Sequence, residues 1–261
     1  MQPRFSERVV VVIGGNSGIG LSSAQAFAAE GARVVITGRD TATLRQAVES
    51  IAGAAEPIGS AAAGALAIRS DIADLAQIDA LMSEVSAKLG RIDVLFVNAG
   101  VGAFLPIEKV TEADWDRLMA VNLKGVFFTV QKALPLMSRG SAIVLNSSIG
   151  GRRGMPTGSV YAASKAGVSA LGRNFAAELV GRGIRVNVVS PGPVETPIMH
   201  RTVGLPPAAL PALRKQMVQN TPMQRIGEPS EVARAVLFLA SEEASFVTGI
   251  DMLVSGGAAA F

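Results

Sequence analysis

Val9-Val10-Val11-Val12-Ile13-Gly14-Gly15-Asn16-Ser17-Gly18-Ile19-Gly20 is the stretch from which the fold can be read. Five β-branched residues in an unbroken run suit a strand buried on both faces, as in a parallel sheet. The glycine turn then opens an amphipathic stretch with Ile19, Leu21, Ala24 and Phe27 available for packing. Strand, glycine turn, helix is the setting of a phosphate-binding turn. The glycines let the backbone approach a pyrophosphate, and the helix N-terminus offers N–H groups and a partial positive charge. Outside that setting the same glycines would mark only a tight loop.

The alternation continues outward. A second strand is expected at 33–37, followed by Gly38-Arg39-Asp40, and then a helix at 41–51. Residues 52–64, alanine and glycine broken by Pro57, read as a surface loop. Further strands are expected at 66–69, 92–97, 142–146, 184–189 and 249–254. Leu75, Ile78, Leu81, Met82 and Val85 place a helix at 74–89 through their 3–4 spacing. Thr111 with Asp114 forms a variant capping box for a helix running through Asn122 toward Leu134. Two more helices are expected, from Tyr161 to about 182 and from Pro229 to 240. Proline-punctuated residues 204–222 read as part of a lid spanning 193–225. Strand–helix alternation throughout implies one doubly wound, Rossmann-type α/β domain over 1–261, with a parallel sheet of about seven strands and helices on both faces.

Composition removes several kinds of chemistry. The chain has 261 residues and no cysteine, which excludes disulfides, thiolate nucleophiles and cysteine-bound zinc. Its one histidine, His200, excludes multi-histidine metal sites, and no Gly-x-Ser-x-Gly elbow accompanies it. A net charge of +3 without a basic block leaves no footprint for nucleic acid. The apolar run at 9–13 is too short for a signal-peptide core or a membrane span, so a cytoplasmic protein is expected.

A second stretch suggests chemistry. Ser147-Ser148 is followed by a loop with Gly150, Gly151, Gly154 and Gly158, then by Tyr161-Ala162-Ala163-Ser164-Lys165. Residues four apart share a helix face, so the phenol and the ammonium point into one space. A cation beside a phenol favours the phenolate, which would tune Tyr161 toward neutral pH. By itself such a pair is usually ordinary helix surface.

With Gly14-x-x-x-Gly18-Ile19-Gly20, Asp71, Asn98-Ala99-Gly100, Asn122, Ser148, Tyr161-x-x-x-Lys165 and Pro191-Gly192 in order, the chain resembles the short-chain dehydrogenases/reductases of the compact single-domain branch, from Val9 to Gly257. The resemblance implies hydride exchange between a nicotinamide cofactor and a small-molecule carbonyl or alcohol. Tyr161 is then the general acid or base. Lys165 lowers its pKa and holds the nicotinamide ribose, Ser148 positions the substrate oxygen, and Asn122 binds a relay water. The implied cofactor contacts are Gly14, Asn16, Ser17, Gly18, Ile19, Arg39, Asp71, Ile72, Asn98, Ala99, Gly100, Tyr161, Lys165, Pro191, Gly192, Val194 and Thr196. Gly38 stands where an NAD enzyme would carry a carboxylate for the ribose 2′-hydroxyl, and Arg39 follows it, so NADP(H) is favoured and NAD(H) stays open. A homo-oligomer is implied, a tetramer first.

Two departures from the family pattern stand out. Ile13 occupies a position usually held by threonine, which removes a hydroxyl from the turn, and Ser255 replaces an aspartate in a region that supports tetramers in relatives. The expected pocket lining is Phe104, Ile149, Met155, Val160, Ile198 and Met199, with Arg152 and Arg153 either solvated or receiving an anionic group. His200 has no assigned role. The rival readings are a 3-oxoacyl-carrier-protein reductase and a cofactor-sensing protein without turnover.

Overall fold

The computed structural model describes residues 3–53 and 65–259. Within them β1 (Val9–Ile13), β2 (Arg33–Gly38), β3 (Leu66–Arg69), β4 (Val94–Val97), β5 (Ala142–Asn146), β6 (Arg185–Pro191) and β7 (Asp251–Val254) form one parallel sheet in the order β3-β2-β1-β4-β5-β6-β7. The helices are α1 (Gly18–Ala29), α2 (Thr41–Ala52), α3 (Leu75–Leu89), α4 (Glu112–Met119), α5 (Gly125–Ala133), α6 (Ser159–Leu179), α7 (Ile198–Arg201), α8 (Leu210–Gln219) and α9 (Pro229–Ala240).

The two-residue period of a strand explains why β1 reads as continuous valine. Val11 and Ile13 pack into the core beneath α3, α5 and α6, whereas Val10 and Val12 pack beneath α1, α2 and α9. β4 splits the same way, with Leu95 and Val97 on one side and Val94 and Phe96 on the other. The strand order reverses between β1 and β4, so the crevice at their carboxyl ends is the place where ligands bind in such sheets.

Several boundaries differ from the sequence expectation, each for a pairing reason. β4 begins at Val94 because Ile92 N–H donates to Leu136 O outside the sheet. β6 runs on to Pro191, which pairs with Val254 of β7. The helix expected through Asn122 is interrupted by a π-helical segment, Ala120–Lys124, between α4 and α5. The capping box is present, with Thr111 and Asp114 bonded reciprocally. Most of the expected 52–64 loop lies outside the described residues.

Candidate active site

The glycine turn delivers the chain into α1 without a cap. Ser17 makes no side-chain bond to the first turn, and that turn holds no acidic residue. The ends of α2, α3, α4 and α9 are closed instead by Asp40, Asp74, Thr111 and the Glu228/Glu231 pair. The first-turn N–H groups of α1 are therefore free for an anion, which is what a dinucleotide pyrophosphate requires. Gly20 must lack a side chain, since a Cβ there would lie 2.0 Å from Gly14 O. The hydroxyl that Ile13 cannot supply comes from β2: Thr37 Oγ1 accepts from Gly14 N at 3.2 Å. Asn98 Nδ2 donates to Gly14 O at 2.8 Å, and Ile13 O accepts from Asn98 N and Ala99 N. The turn thus keeps a hydroxyl acceptor although Ile13 carries none.

At the far end of the same cleft, Asn16 Nδ2 donates to Thr43 Oγ1 at 2.9 Å and lies across Gly38. A Cβ on Gly38 would be 2.7 Å from Asn16 Cγ, so no carboxylate fits there without displacing Asn16. Arg39 is exposed, with its guanidinium 3.8 Å from Asp71 Oδ2. Asp71 also accepts from Ala73 N. Ile72 lines the cleft beside it.

The reaction end lies where β5 gives way to α6. Ser148, two residues past β5, is extended and accepts from Gly150 N at 3.1 Å. Its neighbour Ser147 is buried, and its hydroxyl is engaged away from the phenol, donating to Lys165 O at 2.7 Å and lying 3.0 Å from Ser169 Oγ. Lys165 is buried and its ammonium donates to Asn146 O at 2.8 Å. Desolvation lowers its pKa from 10.5 to about 8. The Tyr161 phenol behaves differently from the sequence expectation. Burial pushes its pKa up, and the Ser148 hydroxyl, hydrogen-bonding to the phenol, pulls it the other way. Lys165 is not among the causes of the shift; its ammonium bonds to the Asn146 carbonyl.

Asn122 is fully buried in the π-segment. Its amide accepts from Val101 N at 2.9 Å and donates to Val101 O at 3.0 Å and Ser164 Oγ at 3.2 Å. These bonds give the buried amide its protein partners in this helix. Gly100 separates it from Lys165: a Cβ there would be 3.4 Å from Asn122 Oδ1 and 3.3 Å from Lys165 Nζ. Among the described residues no cluster of metal-binding side chains occurs.

Comparison with known proteins shows the family. A family profile described as "Enoyl-(Acyl carrier protein) reductase" matches residues 13–259. Levodione reductase of Leifsonia aquatica is 37% identical over 264 residues, covering 98% of this chain and 96% of that protein. A crystal structure of a levodione reductase superposes with a TM-score of 0.91 at 35% identity, covering 98% and 99% of the two chains. The chain belongs to the short-chain dehydrogenase/reductase family. Its other relatives include the 3-oxoacyl-[acyl-carrier-protein] reductase FabG of Thermotoga maritima, 39% identical over 97% of this chain and 98% of that one. The cis-4-hydroxycyclohexanecarboxylate dehydrogenase of Sinomonas cyclohexanicum is also 39% identical, over 98% of each chain. As a member of this family the chain is an oxidoreductase of alcohol and carbonyl groups that uses NAD(P)(H).

In this dehydrogenase/reductase one cleft of about 1680 Å³ contains both ends of the site. That exceeds the space of a single small ligand and suits a dinucleotide beside a substrate. Gly14, Asn16, Ser17, Gly18, Ile19, Arg39, Asp71, Asn98, Ala99, Gly100, Pro191, Gly192, Val194 and Thr196 all line it. Thr196 makes no cap for α7; its methyl group packs over Gly18, where a Cβ would approach to 3.2 Å. Phe104, Ile149, Met155, Ile198 and Met199 line the substrate end, and the Phe104 ring lies 5.9 Å from that of Tyr161. Val160 does not: it is buried against Ala103 and Leu118, because its helical position turns it to the core. Arg152 pairs with Asp251 outside the cleft, whereas Arg153 lines the cleft and donates to Ala258 O at 2.9 Å. His200 is exposed and is not part of this cleft's lining. Sequence reading missed Thr37, along with Leu213 and Met217 of α8. The alternation of apolar and polar residues in α8 is too weak to say which face meets the cleft.

Proposed function

We propose that this family member is an NADPH-preferring reductase of a ketone or aldehyde, or in reverse a dehydrogenase of a secondary alcohol. Ser148, Tyr161 and Lys165 are its catalytic residues, and Asn122 belongs to its proton path. What carries this reading is the meeting of the Ser148 hydroxyl, the Tyr161 phenol and Lys165 on one wall of a cleft whose other end is the uncapped turn.

The bound nicotinamide supplies or accepts hydride at the substrate carbon. As negative charge builds on the carbonyl oxygen, Ser148 donates a hydrogen bond and Tyr161 gives up its proton. Burial keeps the phenol protonated at neutral pH, the state a proton donor needs. Lys165 holds the ribose and, with its pKa near 8, returns a proton to Tyr161. The relay proposed beyond it runs past Gly100 to Asn122.

NADPH is favoured because Gly38 cannot carry a carboxylate while Asn16 covers it, and because Arg39 stands exposed beside that position. The largely apolar substrate end favours a compact ketone or ring alcohol, the class that the name of the Sinomonas relative describes. A carrier-bound 3-oxoacyl thioester is the second reading, supported by the Thermotoga relative's name and by Arg117 and Arg153 at the cleft. Residues 193–225 act as the lid in this reading, and the whole chain acts as one domain. A cytoplasmic homotetramer is the assembly we propose, supported by the exposed Trp115 on α4 and Phe127 on α5. Among the described residues no helix is long and apolar enough to cross a membrane.

A panel of cyclic ketones, ring alcohols and acetoacetyl thioesters, each run with NADPH/NADP and NADH/NAD, tests the reading. Turnover of small ketones with NADPH is expected, and its loss in Tyr161→Phe with dinucleotide affinity unchanged. Absence of turnover across the panel, or full activity of Tyr161→Phe, would remove the proposal.

A further inference from the structure

A buried carboxylate that the proposed chemistry does not use lies behind the reaction end. The Asp251 side chain, at the start of β7, is only 4% exposed. Its Oδ2 accepts from Ser169 Oγ at 2.8 Å and from Arg152 Nε at 3.2 Å, with Arg152 Nη2 at 3.1 Å. Arg152 Nη2 also donates to the Asp251 carbonyl oxygen at 3.4 Å. Ser169 Oγ lies 3.0 Å from Ser147 Oγ, which donates to Lys165 O at 2.7 Å. The segment 147–152, which carries Ser148, is therefore held by one carboxylate directly at Arg152, and at Ser147 by the 3.0 Å packing contact of Ser169, whose single proton is committed to Asp251. Between these ties the loop is pressed onto α6. A Cβ on Gly151 would lie 2.6 Å from Ala166 N and 2.8 Å from the carbonyl carbon of Lys165, so the loop has no slack.

We propose that Asp251 is a positioning residue that fixes the Ser148 hydroxyl against the Tyr161 phenol, acting through Arg152 on one side and the Ser169–Ser147 pair on the other. A buried ion pair is weak evidence for stability alone, since desolvation opposes its attraction. Its geometric effect is better founded here, because two side chains converge on one acceptor, Arg152 from the serine loop and Ser169 touching it. The role deepens the reductase reading and rests on it.

The test needs no substrate. Tyr161 is the chain's only tyrosine, so an ultraviolet titration of phenolate reports this one group. Removing the Asp251 charge would by electrostatics alone ease phenolate formation and move the midpoint down. If Asp251 positions Ser148, Asp251→Asn instead loses the Ser148 hydrogen bond at the phenol and moves the midpoint up by about half a pH unit or more. Ser169→Ala, which changes no charge, should move it the same way. Circular dichroism confirms the fold at each pH. An unchanged or lowered midpoint in folded Asp251→Asn overturns the proposal. So does a lowered melting temperature with the midpoint intact, which would mark a merely structural role. Should Asp251→Asn fail to fold, Ser169→Ala decides by the same criterion. A wild-type chain that bound no dinucleotide would sink the reductase reading while leaving this titration readable.

Discussion

Lys165 is held as an ammonium in a place that disfavours charge, with one carbonyl as its hydrogen-bond partner. Its folded pKa, about 8, lies below the unfolded value of 10.5, so burial of the charge costs about 3 kcal/mol at neutral pH. The sign follows from proton counting. Between pH 8 and 10.5 the unfolded chain binds the proton that the folded chain has lost, so the penalty fades as pH rises through that window. Lys165→Met should therefore abolish turnover yet raise stability by about 1–3 kcal/mol at pH 7, with a smaller gain near pH 10. Urea denaturation at the two pH values checks this, and a variant less stable at pH 7 would contradict it. Arg39 raises the complementary question of what a residue reads. Its guanidinium is only loosely held, 3.8 Å from Asp71, and is available to a 2′-phosphate. Arg39→Ala should weaken NADP binding about tenfold or more and NAD binding less than about twofold, as read by calorimetry. Equal weakening of both would show that the arginine does not read the phosphate.

At the scale of elements, the glycine turn depends on three strands rather than on its own sequence. β1 supplies the backbone, β2 the Thr37 hydroxyl and the end of β4 the Asn98 amide. Thr37→Val keeps the shape but removes the acceptor for Gly14 N–H. A loss of about 1 kcal/mol in stability and a several-fold loss of dinucleotide affinity are expected. Thermal melting and fluorescence titration measure the two, and an unaffected affinity would show that Thr37 does not shape the turn. The π-segment gives a parallel case. An extra residue in the helical turn lets Asn122 reach both backbone groups of Val101, which ties the β4 loop to the helix bearing Trp115. The amide was visible in the sequence as a polar residue in an apolar stretch. Its partners were not, because Val101 lies twenty-one and Ser164 forty-two residues away in the chain.

Across the whole molecule, legibility follows burial. Strands covered on both faces announce themselves, so the valine run at β1 and the parallel sheet could be read directly. The Tyr161–Lys165 pair could be read because helix geometry fixes the spacing. Readings failed where a side chain's direction depends on what packs against it. Val160 turned into the core, Arg152 found Asp251, and the phenol's environment was set by burial rather than by its charged neighbour. Features of the lid stayed hidden because α8 has no residue buried against the sheet to impose a pattern. One feature at the other end of the site bears on how the enzyme should be handled. α1 is closed by none of its own side chains, so its first turn is completed from solution. The melting temperature should then track dinucleotide concentration by mass action, rising by RT ln(1 + [L]/Kd) in free energy. Phosphate or sulfate in the buffer would draw on the same linkage, competing with the cofactor for the turn while masking part of the instability of the empty protein.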